Sequence, residues 1–526
     1  MFSSTFTSLP FPPTGVLIGI ILLCRVVYTR WIRNKLSHRP PGPDPIPFFG
    51  NILQLPMEYQ ERAIWEMGKK YGNIIYARFF RRHTIMINSA EVAQDLLAKR
   101  SVNYSDRPPF ILQCELMGWD SVAILMPYTA RYRKHRKWIH DAFMNKNNLL
   151  TYRPMQKRET YTLLSGLMST PEEFTSHFLR FTAGTIAEIT FGHTVTGLND
   201  IYIHLSDKAA GATVEAGSPG SMLVDFIPIL KYWPTWLPGS SWKTNALSIR
   251  KLGKDMTDIP YDMVKQKMAA GTAKPSMVSS LIEEFTQKEG GLTAEDENDI
   301  KGAAAVLYGA GTETSANIFT EFILVMVKYP HIFKKAQEEI DRVIGFDRLP
   351  DFDDRESLPY LNCVIKELYR WHPPTPLGVP HYSMKDDEYL GYNIPAKSMM
   401  IANIWGMTRN ADAYPNPEEF IPERFEDLEK SPSQVDLKDP YNLIFGFGRR
   451  QCPAQVFADL NIFLVVSNIL ATMDISRARD ENGVEIDPPH AYKSGFVHHL
   501  LPFKCAIRPR SQKAVDMVTQ FLASSI

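Results

Sequence analysis

The sequence predicts a mainly α-helical fold with small β-sheets, an α+β arrangement. Helical periodicity begins near Glu91 and dominates residues 160–290, and residues 293 to about 329 have the pattern of one long helix. β-Branched and aromatic residues concentrate in 74–87 (IIYARFFRRHTIMI), which predicts a hairpin. Helices therefore form most of the chain, and the hairpin supplies the first strands of a small sheet.

The composition is that of an ordinary globular protein. Of 526 residues, 58 are Lys or Arg and 58 are Asp or Glu, so nothing indicates nucleic-acid binding or an acidic substrate. The length suggests two to four domains, although one large domain is also compatible with it. The cysteines are odd in number, form no C-x-x-C pair, and argue against a disulfide framework or zinc site. They favour a reducing, cytosol-facing compartment. The five are Cys24, Cys114, Cys363, Cys452 and Cys505.

The N-terminal region predicts a membrane anchor, residues 9–29, after a short tail, residues 1–8. Residues 9–28 make 20 mostly apolar positions, just enough to cross a bilayer, and basic residues follow them, which places the remaining chain in the cytosol. Arg25, Pro12 and Pro13 weaken the span. A cleaved signal peptide is the alternative, but basic residues before the run and a small-residue cleavage site after it are missing. The basic, proline-rich segment 30–45 is expected to be a stiff hinge, with an ordinary linker as the alternative.

One cysteine stands between a glycine-rich turn and an apolar helix predicted at 456–473. In residues 445–454 (FGFGRRQCPA), two glycines allow a tight turn and a close approach to a flat ligand. A thiolate just before a helix N-terminus is stabilised by the helix dipole. Arg449 and Arg450 add side chains suited to carboxylates. The pattern favours Cys452 as an iron ligand over a reactive surface thiol.

This stretch resembles the haem-binding loop of the cytochrome P-450 superfamily, Phe-x-x-Gly-x-Arg-x-Cys-x-Gly. Phe445, Gly448, Arg450 and Cys452 match in type and spacing, and Ala454 stands where the family has its last glycine. The resemblance implies the cytochrome P-450 fold, with haem b (iron protoporphyrin IX) between the long helix and this loop. It also implies that Cys452 binds the iron and that the other four residues contact the haem.

The long helix carries a second motif, residues 310–315 (AGTETS), similar to the family's oxygen-activating motif. Gly309 and Gly311 each cost helix stability, by about 1 kcal/mol relative to Ala, which predicts a functional reason for them. The resemblance implies that Ala310 and Gly311 lie against the haem. It makes Glu313 and Thr314 the catalytic pair that relays protons. A small-residue contact between helices is the structural alternative.

A basic helix is predicted at 128–143, and a surface face or a nucleic-acid patch could produce the same pattern. It contains Tyr132-Arg133-x-x-Arg136 where the family has Trp-Arg-x-x-Arg. The resemblance implies that Tyr132, Arg133 and Arg136 contact the haem, with Arg133 holding a propionate. Lys134 and Lys137 are expected to face an acidic reductase.

A Glu-x-x-Arg pair, Glu367 and Arg370, lies on one helix face, an arrangement that alone is common and worth little. It is followed by His381 and later by Arg424 in the order found in the family. The resemblance implies a buried structural triad of Glu367, Arg370 and Arg424 that supports the haem loop. It also implies a haem propionate contact for His381, for which a surface histidine is the alternative.

Substrate-pocket residues are assigned by position in the family alone. They are Phe110, Leu112, Leu116, Leu377, Val379, Phe496 and Val497. Residues 224–239 are aromatic and interrupted by prolines, which fits a loop that touches a membrane and equally fits core packing. The adjacent histidines His498 and His499 are interpreted as structural, because no third metal ligand is near them in sequence.

Taken together, the motifs make residues 46–510 a catalytic domain and 511–526 a C-terminal tail. The resemblance to fungal microsomal members implies a haem-thiolate monooxygenase of secondary metabolism, anchored in the endoplasmic reticulum membrane with a cytosolic catalytic domain. Its expected partners are O2, an apolar terpenoid, polyketide or indole, and an NADPH-cytochrome P-450 reductase, with cytochrome b5 as a second electron donor. Two other functions stay open, an isomerase or dehydratase of the same fold that needs no O2, and a non-catalytic haem-thiolate sensor.

Overall fold

The computed structural model describes Gly19 and residues 38–218, 220, 222–430 and 437–524. Apart from Gly19, the predicted tail 1–8 and anchor 9–29 lie outside the described residues. Within the described part of the chain, one helix is long and apolar enough to cross a membrane, Gln455–Thr472, and 67% of it is buried in the protein.

Helices dominate the structure, as predicted. In chain order they are α1 (Gln60–Tyr71), α2 (Ala90–Ala93), α3 (Ser101–Tyr104), α4 (Ala130–Phe143), α5 (Lys146–Ser169), α6 (Phe174–Phe191), α7 (Ile201–Glu215), α8 (Leu223–Phe226), α9 (Ser241–Ala269), α10 (Met277–Thr286), α11 (Ala294–Lys328), α12 (Pro330–Val343), α13 (Pro359–Trp371), α14 (Ile404–Met407), α15 (Glu426–Lys430), α16 (Tyr441–Ile444), α17 (Gln455–Thr472) and α18 (Gln512–Ser524). Two π-helical segments, Gln94–Lys99 and Ile111–Leu116, join them. The 3-10 segments are Ile52–Gln54, Pro171–Glu173, Pro228–Tyr232, Phe352–Ser357, Pro422–Phe425 and Gly448–Arg450.

The strands form small sheets. They are β1 (Ile74–Phe79), β2 (Arg82–Ile87), β3 (His381–Tyr382), β4 (Asp387–Tyr389), β5 (Tyr392–Ile394), β6 (Met399–Ala402), β7 (Met473–Arg477), β8 (Tyr492–Lys493), β9 (His499–Leu500) and β10 (Cys505–Pro509). β1 and β2 form the predicted antiparallel hairpin, β2 pairs with β6 in parallel, and β6 pairs with β3. The pairs β4–β5, β7–β10 and β8–β9 are separate two-stranded sheets.

The long helix α11 organises the core, and its observed span confirms the predicted one. Thr293 and Asp296 form the predicted capping pair, with the Asp296 N–H donating to the Thr293 hydroxyl at 3.2 Å. Helix α11 packs against α4, α6, α7 and α9 and also against α12, α13 and α17. Phe319, Phe322 and Ile323 of the second half are completely buried.

The described end of the predicted hinge is fixed along β1. The Tyr76 N–H donates to the Pro41 carbonyl at 2.9 Å, and the Arg39 guanidinium donates to the Tyr76 hydroxyl at 2.6 Å. A Cβ on Gly42 would lie 1.9 Å from the Tyr76 carbonyl oxygen, so only glycine allows this approach. Residues 38–45 therefore hold one orientation against the sheet.

Helix α18 occupies most of the region expected to be a C-terminal tail. Ala514 and Val518 are 2% and 1% exposed, and the Phe521 ring lies 4.0 Å from the Tyr161 ring of α5. Arg510 binds both carboxylate oxygens of Asp341, at 2.9 and 2.7 Å, just before the helix begins. The segment is thus packed on the core of the domain.

Candidate active site

A cavity of about 420 Å³ is lined by the middle of α11, by the loop that precedes α17 and by segments from β3, β6 and the β8–β9 turn. Most of its wall is apolar. From α11 it receives Ala310, Gly311, Glu313 and Thr314, and from the loop it receives Cys452. The two strongest sequence motifs therefore meet at one site.

Cys452 is placed by a tight turn. Gly446 and Gly448 have φ of 76° and 56°, and the Cys452 N–H donates to the Phe445 carbonyl at 2.7 Å. Burial raises the pKa of the Cys452 thiol, while the Ala454 N–H and the positive charge of Arg136 lower it. A metal cation bound to the sulfur would favour the thiolate further.

Gly448, expected to contact a haem, is not among the residues that line the cavity. A Cβ at this position would lie 2.3 Å from the Leu97 carbonyl oxygen. The glycine therefore lets the cysteine loop approach the π-helical segment Gln94–Lys99. The neighbouring Gly446 lines the cavity instead, together with Phe445 and Ala454.

Three arginines line the cavity and form what we call the cationic edge, Arg107, Arg136 and Arg450. Arg450 donates to the carbonyls of Ser105 and Met126, each at 2.7 Å. Arg107 donates to the Ile124, Val379 and Pro380 carbonyls at 3.0, 2.7 and 2.8 Å. Among the described residues, no carboxylate lies within ion-pair distance of these three arginines. Burial lowers the pKa of Arg107 and that of Arg450, and the charges of Tyr132 and Asp106 offset this only in part.

Tyr132 and His381 also line the cavity beside these arginines. The Tyr132 hydroxyl donates to the Arg449 carbonyl at 2.8 Å, and its ring centroid lies 3.8 Å from the Arg450 guanidinium. His381 is 6% exposed, and its Nδ1 lies 2.8 Å from the Tyr104 carbonyl, to which it donates. Burial, followed by the charge of Arg107, lowers the pKa of His381 well below its usual value.

Arg133, expected to hold a propionate, lies on the exposed side of α4 and outside the cavity lining, so this prediction is corrected. Positions four residues apart share a helix face, and Tyr132 and Arg136 therefore face the cavity together while Arg133 turns away. Arg107, which lines the cavity, was not among the predicted site residues. The sequence signal for Arg107 is that it lies close to Phe110, in the region assigned to the substrate pocket.

In α11, the Thr314 hydroxyl donates to the Ala310 carbonyl at 2.9 Å, the local bond expected of a threonine in this motif. A Cβ on Gly311 would lie 3.2 Å from Ile186 of α6, so glycine keeps the two helices close. Burial, and next the negative charge of Asp207, raises the pKa of Glu313 to about 7. Its carboxyl group is therefore suited to exchange protons near neutral pH.

The pocket assignments divide into two groups. Leu377, Val379, Phe496 and Val497 line the cavity. Phe110, Leu112 and Leu116 do not, and for them the prediction is corrected. The π-helical segment Ile111–Leu116 packs on α8, α9 and the 3-10 segment Pro228–Tyr232, which buries these side chains. The same chain region reaches the cavity through Gln113 of that segment and then through Trp119, Val122 and Leu125.

Glu367, Arg370 and Arg424 meet in one buried cluster. Arg370 donates to both carboxylate oxygens of Glu367, at 2.7 and 2.9 Å, and Arg424 donates to Oε1 at 3.2 Å. Glu367 and Arg370 are both 0% exposed. Tyr369 of the same helix lines the cavity, and its ring lies 5.9 Å from that of Phe445. The cluster thus holds α13 against residues 408–424, while Tyr369 contacts the cysteine loop from the same helix.

These residues fit a haem. Among the described residues, no group of three or more His, Cys, Asp or Glu side chains could hold a metal ion. A porphyrin-bound iron needs only one protein ligand on this side, and the Cys452 thiol, deprotonated, would supply it. The carboxylates of the porphyrin would neutralise the buried arginines of the cationic edge.

The comparison with family models agrees with this geometry. The model described as Cytochrome P450 matches residues 40–505. The chain belongs to the cytochrome P450 family. "Cytochrome P450 monooxygenase 176" of Postia placenta is 43% identical over 94% of each chain. "Cytochrome P450 monooxygenase claR" of Ampulloclitocybe clavipes is 40% identical over 96% of this chain and 92% of its own. "Cytochrome P450 monooxygenase ppsD" of Aspergillus oryzae is 37% identical over 96% of each.

This P450 is therefore a haem-dependent monooxygenase enzyme with the mainly α fold that the sequence predicts. P450 monooxygenases generally use O2 and electrons from a redox partner. In this chain, one cavity is lined by Cys452, Glu313 and Thr314.

Proposed function

We propose that this P450 uses haem b to hydroxylate an apolar small molecule of fungal secondary metabolism, a terpenoid, polyketide or indole. The observation that carries the proposal is a mostly apolar cavity that places the Cys452 thiol and the Glu313–Thr314 pair in one enclosure. A thiolate-bound haem supplies reductive activation of O2 there. The walls at Leu377, Val379 and Phe496 would orient an apolar substrate and exclude water.

In this proposal, different residues of the chain bind the cofactor, donate protons and position the proton acceptor. Arg107, Arg136, Arg450, Tyr132 and His381 would hold the carboxylates of the cofactor. Glu313 would donate protons at its carboxyl oxygen, since a carboxyl group with a pKa of about 7 is populated in both forms at neutral pH. Thr314 would position the proton acceptor with its hydroxyl, which is already fixed on the Ala310 carbonyl.

Electrons would come from an NADPH-cytochrome P450 reductase, with cytochrome b5 as a second donor. Arg133, Lys137 and Arg449 are exposed on α4 and the cysteine loop, which would suit an acidic partner. Lys134, expected to serve the same face, instead forms an ion pair with the buried Asp299 of α11. It is therefore directed toward the protein and not toward a partner.

The enzyme would lie on the endoplasmic reticulum membrane, held by the N-terminal anchor with its catalytic domain in the cytosol. An exposed apolar surface supports membrane contact. It consists of Leu223, Ile229, Tyr232, Trp233 and Trp236, and Ile229 and Trp236 are 73% and 80% exposed. Phe226 and Phe80, with rings 5.9 Å apart, connect it to Phe48, which is 70% exposed. Apolar patches of this kind mark interaction sites.

The test of the proposed function is a reduced, carbon monoxide-bound difference spectrum in microsomes, for wild type and Cys452→Ala. We expect a strongly red-shifted Soret band that disappears in the variant. Turnover of candidate apolar substrates with a reductase should then require NADPH. Turnover without NADPH would identify an isomerase or dehydratase, and haem binding without a substrate-induced spin shift or product would identify a sensor.

A further inference from the structure

A half-exposed histidine lies beside the catalytic carboxyl group. The Nε2 atom of His499, in β9, is 3.9 Å from Oε2 of Glu313, in α11. The side chain of Glu313 is 12% exposed and that of His499 is 36% exposed. The pair therefore leads from the cavity wall, where Glu313 lies, toward solvent, which His499 reaches.

Asn317 fixes the orientation of this imidazole. Its amide nitrogen donates to the His498 carbonyl at 3.2 Å, which leaves its Oδ1 to face His499 Nδ1, also at 3.2 Å. Because Oδ1 can only accept, His499 Nδ1 carries the hydrogen, and Nε2 is the nitrogen that gains or loses a proton. The proton-exchanging nitrogen is therefore the one that faces Glu313.

The surrounding charges favour a mobile proton over a fixed ion pair. Burial, followed by the charge of Lys493 of β8, lowers the pKa of His499 from its usual value. Burial, followed by the charge of Asp207 of α7, raises that of Glu313 to about 7. His498, which precedes His499, is buried beside His372, with 3.3 Å between their ring nitrogens. The two shifts run in opposite directions, the imidazolium giving up its proton more readily and the carboxyl group holding its proton more tightly, so both favour transfer from His499 to Glu313.

We propose that His499 is the residue that carries protons from solvent to Glu313, an inference that rests on the proposed monooxygenase function. For the transfer, the two side chains must first close from 3.9 Å to hydrogen-bond reach, about 2.6–3.2 Å. The N–H bond at Nε2 of the imidazolium then breaks and an O–H bond forms at Oε2 of the Glu313 carboxylate. The neutral imidazole then takes a new proton from water at its exposed edge. No electron moves, and each proton that Glu313 passes to Thr314 is replaced by one step of this kind.

His499 lies on the hairpin that also contributes Phe496 and Val497 to the cavity wall. The substrate wall and the proton path would therefore share one turn of the chain. A substrate that orders this turn would also fix the distance between His499 and Glu313, which would link proton supply to the presence of substrate.

The first test measures proton exchange without turnover. In the haem-loaded enzyme with an azole filling the cavity, the infrared C=O band of Glu313 is identified by its loss in Glu313→Gln. The rate at which this band shifts after transfer into D2O should fall at least about tenfold in His499→Gln, because a direct proton carrier is removed. His499→Asp, which restores a titratable group, should recover most of the rate. A wild-type exchange rate in His499→Gln would overturn the inference.

The second test measures coupling of NADPH oxidation to product, with a purified reductase and an alkoxycoumarin as surrogate substrate. His499→Gln should give at least about tenfold less product per NADPH and more hydrogen peroxide, with an unchanged carbon monoxide difference spectrum. Wild-type coupling in this variant would overturn the inference.

The matched control is His204→Gln, the same substitution at an exposed histidine of α7 that acts on neither Glu313 nor His499. It should keep wild-type exchange and coupling, and a loss in this variant would show that the effect is not specific to His499. Failure of the wild type to make any product would count against the proposed function, while the exchange measurement would still decide the role of His499.

Discussion

Two groups of buried arginines in this protein differ in one respect. In the cluster of Glu367, Arg370 and Arg424, a carboxylate that is 0% exposed accepts hydrogen bonds from both guanidinium groups. In the cationic edge formed by Arg107, Arg136 and Arg450, the hydrogen-bond acceptors are backbone carbonyls. The first group is neutralised within the protein, and the second is not.

The difference separates a completed structural network from a binding site. Carbonyl oxygens satisfy the N–H donors of an arginine but do not cancel its charge, and burial of an uncompensated charge is costly. Burial lowers the pKa of Arg107 and of Arg450, and this shift is the evidence of that cost. An anionic ligand would remove that cost, so arginines support the fold in one place and, in the proposed function, would bind a cofactor in the other.

The largest effect should come from breaking the neutralised cluster. Glu367→Ala would leave Arg370 and Arg424 buried without their carboxylate, at a cost of about 3–5 kcal/mol in folding free energy. Because α13 supports the cysteine loop through Tyr369 and Phe445, we expect the purified variant to contain no haem. Haem content is measured by the carbon monoxide difference spectrum and by absorbance per protein.

Glu423→Gln is the matched control for this experiment. Glu423 is adjacent to Arg424 in sequence, but its side chain is 42% exposed and binds Lys335. The variant should keep its full haem content. Full haem content in Glu367→Ala would contradict the supporting role given to the cluster.

A smaller effect should follow from removing one member of the cationic edge. Arg450→Met would delete an uncompensated buried cation, so the apoprotein should lose less stability than in Glu367→Ala. Haem affinity should fall roughly 10–100-fold, because a charge-assisted hydrogen bond contributes about 1.5–3 kcal/mol. Haem transfer from the variant to apomyoglobin measures the change.

Arg133→Met tests the same chemistry at a position that the structure places on the exposed face of α4. Its haem affinity should equal that of the wild type. An equal loss of haem in both variants would contradict the assignment of Arg450 to the cofactor and of Arg133 to the surface.

The sequence predicted those parts of the site that depend on local spacing. Cys452 follows a turn whose glycines are required by positive φ, and residues 310–315 lie on one continuous helix, so a linear motif was sufficient to identify them. Glu367 and Arg370 share a helix face for the same reason. The fold class followed from periodicity, because α11 and the β1–β2 hairpin each carry a clear period.

The remaining parts of the site depend on contacts between segments that are distant in sequence, and sequence periodicity does not predict such contacts. The resemblance placed Arg133 at the cofactor, although helix geometry turns Arg136 and Tyr132 to the cavity. Phe110 and its neighbours were assigned by position, but a π-helical segment directs them into the core. His499 meets Glu313 only because β9 packs beside α11. Loop-built walls and cross-chain pairs of this kind require the three-dimensional structure.

Glu313 is a third kind of buried ionisable side chain, because burial makes its carboxyl group keep its proton to a higher pH than usual. Its pKa is raised from 4.5 to about 7, so the folded protein binds this proton more tightly than the unfolded chain. The stabilisation is complete below about pH 4.5 and is lost as pH rises toward about 7, by at most about 1.4 kcal/mol per pH unit. Glu313→Gln should remove this slope.

The measurement for Glu313 is chemical denaturation of the apoprotein and its Glu313→Gln variant at about pH 5, 6 and 8. The free energy of unfolding of the wild type should fall relative to that of the variant between about pH 5 and 6, and it should fall further by about pH 8. Glu321, whose pKa burial raises to about 8, contributes a slope of the same sign but is present in both proteins and cancels. Parallel curves would contradict the raised pKa of Glu313.

The smallest effect should come from replacing positively charged side chains that are exposed to solvent. Arg133 and Lys137 are exposed on α4, so each contributes only about 0.2–1 kcal/mol to an encounter with an acidic reductase. The double variant Arg133→Gln, Lys137→Gln should raise the half-saturating reductase concentration several-fold at low salt, and the difference should vanish at high salt because the charges are then screened. Its haem content should be unchanged, unlike that of Arg450→Met.

Lys208→Gln, which removes an exposed lysine from α7, should not alter the reductase dependence. A loss that persists at high salt would mean that these side chains act through the cofactor site and that the division between exposed and buried cations does not hold.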